Sequence, residues 1–253
     1  MTEKISGISF CIKLADIVFR IEPMSDYIKE YCREYITEEE AEFFIKTEAE
    51  DIAFERERSK KEAGHECQID VEYSDEYLET LSVYRKIAEI MPSLDTLLFH
   101  GSVIAVDGIG YLFTAKSGTG KSTHTRLWRE LFGNRAVMVN DDKPLLKITD
   151  DGVIAYGTPW NGKHRLSTDI AVPLKAICIL TRDKSNHINE IEPKEAYQML
   201  LQQTYRPMNK LSMMQTLKLT DLLMKNTRFY RLGCNMSPDA AKTAFEGMNG
   251  GII

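Results

Sequence analysis

The run Ala115-Lys116-Ser117-Gly118-Thr119-Gly120-Lys121-Ser122 constrains this chain more than any other feature. A β-rich apolar stretch, Tyr111 to Ala115, leads into it, and a helical pattern from about Lys121 to Phe132 leads out. A strand, a glycine-rich turn and a helix opening on Lys-Ser is the order that a phosphate-binding P-loop requires. Glycine admits the backbone angles that turn successive N–H groups inward, and the helix N-terminus adds the positive end of its dipole. The expected nucleotide-binding residues are therefore Ser117, Gly118, Thr119, Gly120, Lys121, Ser122 and Thr123. Lys121 would reach the β- and γ-phosphates, and the Ser122 hydroxyl would hold Mg²⁺. ATP is the expected nucleotide, with GTP left open. One position departs from the motif: it opens on Ala115 rather than Gly, which the turn tolerates where φ stays negative.

A P-loop enzyme needs a second group on the metal side, commonly an Asp at the end of a neighbouring strand. Asp141-Asp142 comes after the short apolar run Ala136 to Val139 and has that placement. One carboxylate of such a pair serves the metal, while the other accepts a proton from an attacking hydroxyl or orients a water. The competing reading is an acidic turn in solvent. Further on, Gly157 to Arg165 holds two glycines, Pro159-Trp160 and three basic side chains. A cation there would stabilise the charge of a transferred phosphoryl group, and Lys163 is the first choice, ahead of Arg165. Trp160 is expected in the core. His124 and Arg126, on the helix after the loop, are expected in salt bridges, and Arg206 at an exposed helix end. Met208, Met213, Met214 and Met224 are expected to pack helices. His65, His164 and His187 have no metal-ligand spacing.

At 253 residues the chain accommodates one α/β domain, or a core domain with an appendage. The pattern divides near residue 90. Residues 1–90 read as a small α+β region, suited to docking a substrate or peptide. They hold strands near 7–13 and 17–21, helices near 25–35 and 76–88, and a charged stretch, 41–73, that suggests strands with charged outer faces. Residues 91–253 read as the catalytic part, with helices near 194–203, 212–225 and 237–247. The net charge of −6 argues against nucleic acid as a partner. Five scattered cysteines, odd in number and without a CxxC pair, suggest reduced thiols in a cytoplasmic protein. The N-terminus lacks a charged-then-apolar pattern, and the longest apolar runs are strand-length, so no membrane span is expected.

Taken together, His100-Gly101-Ser102, the turn Asp107-Gly108-Ile109-Gly110, the loop Ser117 to Ser122 and the closing Asp141-Asp142 resemble the catalytic domain of the HPr kinase/phosphorylase family. The resemblance covers about a third of the chain. It implies a P-loop core distantly similar to phosphoenolpyruvate carboxykinase, within an α/β fold closed by C-terminal helices. It also implies an ATP- and Mg²⁺-dependent kinase acting on a hydroxyl. Carried over residue by residue, it makes Lys121 the phosphate clamp, Ser122 a Mg²⁺ ligand and one of the acid pair the catalytic base, with His100 beside the transferred phosphate. Asp141 is chosen as the base and Asp142 as the metal-side acid, and the resemblance leaves the opposite order open. The family's Glu-x-Arg-Gly-x-Gly signature is absent, and Gly157 to Arg165 stands in its place. The chain is thus more similar to the shorter HPr-kinase-related proteins than to HPr kinase itself. The acceptor expected is a hydroxyl-bearing small molecule such as an amino acid, or a precursor peptide, and self-association is left open. Carboxykinase-like transfer to a small carboxylic acid and a non-catalytic nucleotide-binding module are the rival readings.

Overall fold

Ile12, Leu14, Phe19 and Ile21 are buried at alternate positions of two short segments, the pattern of strands with one face in a core. They form β1 (Phe10–Leu14) and β2 (Ile17–Glu22), joined by a turn in which Ala15 and Asp16 both take positive φ. The structure is a computed structural model that describes residues 8–65 and 72–250, in two compact units, Met1–Ile90 and Met91–Ile253. In the first unit, β3 (Ile36–Thr37) and β4 (Phe43–Lys46) complete a four-stranded sheet of order β3-β1-β2-β4. Its helices are α1 (Tyr27–Tyr31), α2 (Ala49–His65) and α3 (Asp75–Ile90).

Among the described residues, the charged stretch expected as strands supplies only β4, and residues 49–65 of it are helix α2; residues 66–71 of that stretch lie outside the described residues. Glu50 and Asp51 in the first turn of α2 favour the helix N-terminus through the dipole. Its charges do not alternate between faces. Asp51 and Glu55 converge instead on Arg85 of α3, at 2.9 and 2.5 Å. The buried Glu79 carboxylate ties the same unit together, accepting hydrogen bonds from the Met24 and Ser25 backbone N–H groups and the Ser25 and Thr47 hydroxyls.

The second unit carries β5 (Thr96–Leu98), β6 (Ser102–Val106), β7 (Ile109–Thr114), α4 (Lys121–Phe132), β8 (Ala136–Asn140), β9 (Leu145–Thr149) and β10 (Gly152–Tyr156). It continues with β11 (Ala171–Arg182), β12 (His187–Ile191), α5 (Pro193–Gln203), α6 (Lys210–Asn226), β13 (Arg228–Cys234) and α7 (Asp239–Asn249). The result is a mixed α/β fold. The sheet runs β5-β9-β10-β11-β7-β6-β8, and β13 joins it through β11 and carries β12. The long β11 pairs antiparallel with β10 through its first residues and parallel with β13 through its second half. Its opposite edge pairs parallel with β7.

Two apolar clusters hold this unit together. One includes Phe99, Leu112, Ile177 and Phe229 with Leu200 of α5 and Leu219 and Leu223 of α6. The other includes Ile104, Phe113, Cys178 and Leu232 with Trp128 of α4 and Phe245 of α7. Neighbouring residues of one strand, Leu112 and Phe113 or Ile177 and Cys178, thus enter different clusters, as period-two alternation requires of a sheet covered on both sides. The Met-rich segment only partly packs: Met224 lies against the first cluster, but Met208 and Met214 are 71% and 66% exposed. The four described cysteines are free. Among the described residues no helix is long and apolar enough to cross a membrane.

Candidate functional site

Strand direction assembles the site. β6 runs antiparallel to both β7 and β8, so β7 and β8 point the same way. The glycine-rich loop after β7 and the acid pair after β8 therefore emerge at one edge of the sheet, and β6 begins there with Ser102, two residues after His100. β11 and β13 run parallel to β7 and end at the same edge. The carboxyl ends of parallel strands are where ligands of α/β sheets bind.

The loop keeps the conformation that its glycines permit. Gly118 and Gly120 have φ of +72° and +119°, and nothing lies within 4 Å of where a Cβ would project. Gly120 caps α4 without a side-chain hydrogen bond, which leaves the first N–H groups of the helix open to an external acceptor. Thr119 closes the turn, donating from its N–H and its hydroxyl to the Lys116 carbonyl at 3.2 and 2.8 Å. Ala115 is fully buried among apolar residues and is not among those with positive φ, which is why the motif's first position admits Ala.

Asn140 fixes the acid pair. Fully buried, it accepts from the backbone N–H groups of Asp142 and Lys143 at 2.8 and 2.6 Å and donates to the carbonyl and hydroxyl of Thr158. Asp141 lies below the surface, where the Ser102 hydroxyl donates to it at 2.9 Å and the Ser122 hydroxyl is within hydrogen-bonding reach. Asp142 meets His100 Nε2 at 3.3 Å, and Lys143 Nζ lies 4.0 Å from the same oxygen.

The two carboxyls are driven apart in acidity. Burial raises the Asp141 pKa, and neighbouring Asp142 adds to it, against the two serine hydroxyls and the charge of His164. Burial also works against ionised Asp142. The His100 hydrogen bond and the charges of Lys143, His100 and Lys121 outweigh it and hold that pKa below the ordinary value. Burial lowers the pKa of Lys121, Asp142 and Asp141 oppose the shift, and Lys143 reinforces it. Burial likewise lowers His100, with Lys143 and Lys121 adding and Asp142 opposing. Its ring is therefore neutral at pH 7.

The structure thus brings together His100, Lys121, Ser122, Asp141 and Asp142. It does not bring in Lys163, which is exposed on the turn after Asn161 and forms no ion pair with either aspartate. That turn does touch the site through other residues. A Cβ on Gly162 would stand 3.1 Å from that of Asp142, and His164 is near enough to act on the Asp141 carboxyl. The pairing of metal-side groups also differs from expectation, because Ser122 meets Asp141 whereas Asp142 is engaged by His100. Ser102, Lys143 and His164 were not anticipated. Only Ser102 carried a local signal, as the third residue of the His100-Gly101-Ser102 segment.

The residues present fit a divalent cation shared with phosphates. A hydroxyl and a carboxylate meet at the opening of α4, beside an ammonium group. Among the described residues no three His, Cys, Asp or Glu side chains converge enough to hold a metal by themselves. A cation here would take its remaining ligands from phosphate oxygens and water.

A second group of residues borders the loop on its other side. Gly118, Gly120, Thr123, His124, Leu127 and Leu180, with Arg182, Asp183 and Met236, line a cavity of about 510 Å³. Arg182 donates to the Gly118 carbonyl. Arg126 pairs with Glu130 as expected of a helix-surface charge, at 3.3 Å, whereas His124 is buried and forms no salt bridge. Trp160 is buried, and Arg206 is exposed.

Among solved structures, the Hpr(Ser) kinase/phosphatase from Coxiella burnetii is similar over 51% of this chain and 91% of its own, at 12% identity and a TM-score of 0.28, too slight a likeness to argue from. No curated protein matches. The family model for the SynChlorMet cassette protein ScmC matches residues 66–236. That match spans more than half of the sequence, and the chain belongs to the ScmC family of SynChlorMet cassette proteins.

Proposed function

We propose that residues 91–253 form an ATP- and Mg²⁺-dependent phosphotransferase that moves the γ-phosphoryl group to a hydroxyl. One observation carries this reading. The Lys and Ser that open α4 share a small volume with the two acids that come after β8. A solvated acidic turn would have no reason to lie there, half sunk and linked to the loop.

Bound Mg²⁺ would neutralise charge on the phosphates. Ser122 and Asp141 are the groups that would hold it, because the hydroxyl lies within hydrogen-bonding reach of the carboxylate. This reverses the order chosen from the sequence, which placed Asp142 on the metal and made Asp141 the base. Asp142 is the more accessible acid, is ionised at neutral pH, and has the neutral His100 ring to orient it. It accepts the proton of the acceptor hydroxyl. Lys121 and the open N–H groups of the loop hold the phosphates, and positioning and charge supply most of the acceleration. Within the 157–165 segment, His164 rather than Lys163 is the side chain near enough to act on Asp141.

The test incubates the protein with γ-labelled ATP, Mg²⁺ and a panel of amino acids and hydroxyl-bearing peptides. Label is expected on an acceptor. Asp142→Asn is expected to lower kcat about 100-fold or more with nucleotide affinity kept. Asp141→Asn is expected to raise the Mg²⁺ concentration required. Release of free phosphate with no labelled acceptor across the panel would make the protein an ATPase. Carbon dioxide released from oxaloacetate would favour carboxykinase chemistry, and nucleotide binding without turnover would leave only a binding module.

A further inference from the structure

The cavity beside the loop holds an imidazole whose hydrogen bonding is incomplete. His124 is 3% exposed and lies in the second turn of α4. Trp128 Nε1 donates to its Nε2 at 3.0 Å. An indole N–H only donates, so Nε2 must present its lone pair. Burial holds the His124 pKa at about 3, so the ring is neutral and its one proton sits on Nδ1. That Nδ1–H group is buried and has no partner. The ring is locked as well, packed edge-on against Phe113 at 4.5 Å between centroids and tied to Trp128, so it cannot swing toward water without breaking both contacts. A buried donor left unmet is costly, and natural proteins rarely keep one without use.

His124 is among the residues that border this cavity, which is continuous with the phosphate loop, since Gly118, Thr119 and Gly120 also border it. At about 510 Å³ it exceeds what a phosphate needs and falls within the usual range for small-molecule pockets. Leu127 and Leu180 give it apolar walls, while Asp183 and Asn235 add polar groups. An apolar slot with a few polar contacts suits a planar heterocycle joined to a sugar.

Building on the phosphotransferase reading, we propose that this cavity takes the nucleoside end of the triphosphate, with His124 Nδ1–H donating to an acceptor on its ribose or base. His124 then acts in selecting a nucleoside over a bare polyphosphate. The loop and α4 serve both ends of one ligand, phosphates at the helix opening and nucleoside against its first two turns.

Calorimetric titration of the full chain in Mg²⁺ with ATP, GTP and inorganic tripolyphosphate tests this. At least one nucleotide is expected to bind ten times more tightly than tripolyphosphate. His124→Phe should weaken that nucleotide about fivefold, the worth of one neutral hydrogen bond, and leave tripolyphosphate unchanged. His124→Gln, which keeps an N–H donor, should recover part of the loss. Because His124→Phe also deprives the Trp128 N–H of its acceptor, the unaltered protein supplies a second readout. The ¹⁵N-histidine Nδ1–H resonance of His124 should shift with the nucleotide and stay in place with tripolyphosphate. Tripolyphosphate binding as tightly as both nucleotides, with that resonance unmoved by any of them, overturns the nucleoside pocket while keeping the phosphate loop. Failure of all three to bind overturns both.

Discussion

At the scale of single residues, Asn140 shows how little freedom the candidate site has. Its amide satisfies two backbone donors on one side and the Thr158 carbonyl and hydroxyl on the other, with no exposure to water. Asn140→Ala is expected to cost about 3 kcal/mol in urea unfolding, since several buried polar groups lose their partners at once. It should also lower kcat more than it raises the nucleotide KM, because Asp142 hangs on the turn that Asn140 fixes. A loss of stability with kcat unchanged would confine Asn140 to the scaffold. The sequence made some of these residues legible and hid others for a physical reason. Lys121 and Ser122 are announced by a local strand–turn–helix order, and Asp141-Asp142 by the end of an apolar run. Asn140 was visible only as the residue before the acids. Ser102, His164 and Lys143 reach the site through strand pairing and a turn folded back on Asp142, neither of which a local pattern encodes. The proposed identity of the base likewise rests on contacts, those of Ser122 near Asp141 and of His100 with Asp142.

At the scale of elements, α4 joins the two ends of the proposed ligand site. Its N-terminus supplies the open N–H groups, and its buried face places Trp128 against Tyr111, Phe113, Phe132 and Phe245, with centroids 4.9 to 5.7 Å apart. Removing that side chain should leave a large cavity under the loop, and Trp128→Ala is expected to cost about 4 kcal/mol. Chemical denaturation measures this. A cost under about 1 kcal/mol would mean that α4 is held by something other than its aromatic face. The helix was readable from its ends, Gly120-Lys121 and Gly133, since both are set by backbone angles that favour glycine. Helix α2 was not, because a surface helix whose charges pair with a neighbouring helix has a weak apolar stripe. The strands β12 and β13 escaped too: β12 is mostly exposed, and β13 lies beyond two helices in the chain and finds its partner in β11.

At the scale of the whole molecule, protonation links the site to stability. An unfolded histidine titrates near 6.5, whereas folded His124 does so at about 3. Below pH 6.5 the unfolded chain takes up a proton that the folded one refuses. Stability is complete above that pH and falls by about 1.4 kcal/mol per pH unit as the pH drops toward 3. His100, also lowered, acts in the same direction over the same onset. Asp142 adds a loss at more acidic pH, and Asp141, whose pKa is raised, runs the other way and gains as the pH falls through its folded value. Urea unfolding at pH 5, 6 and 7 should show the decline, and His124→Gln should flatten it by one histidine's share. An unchanged slope in that variant would mean that His124 is not buried neutral. The hairpin between β6 and β7 carries a different consequence. Its Asp107-Gly108 bend, with both φ positive, lies a full strand length from where those strands meet the loop and the acids. Extra residues spliced into the bend would leave the paired register from Ser102 to Val106 as it is, whereas a single residue added inside β6 would turn Ser102 and its neighbours to the opposite face. The bend is therefore where a fluorophore or an affinity tag can be attached to track this protein without touching its chemistry.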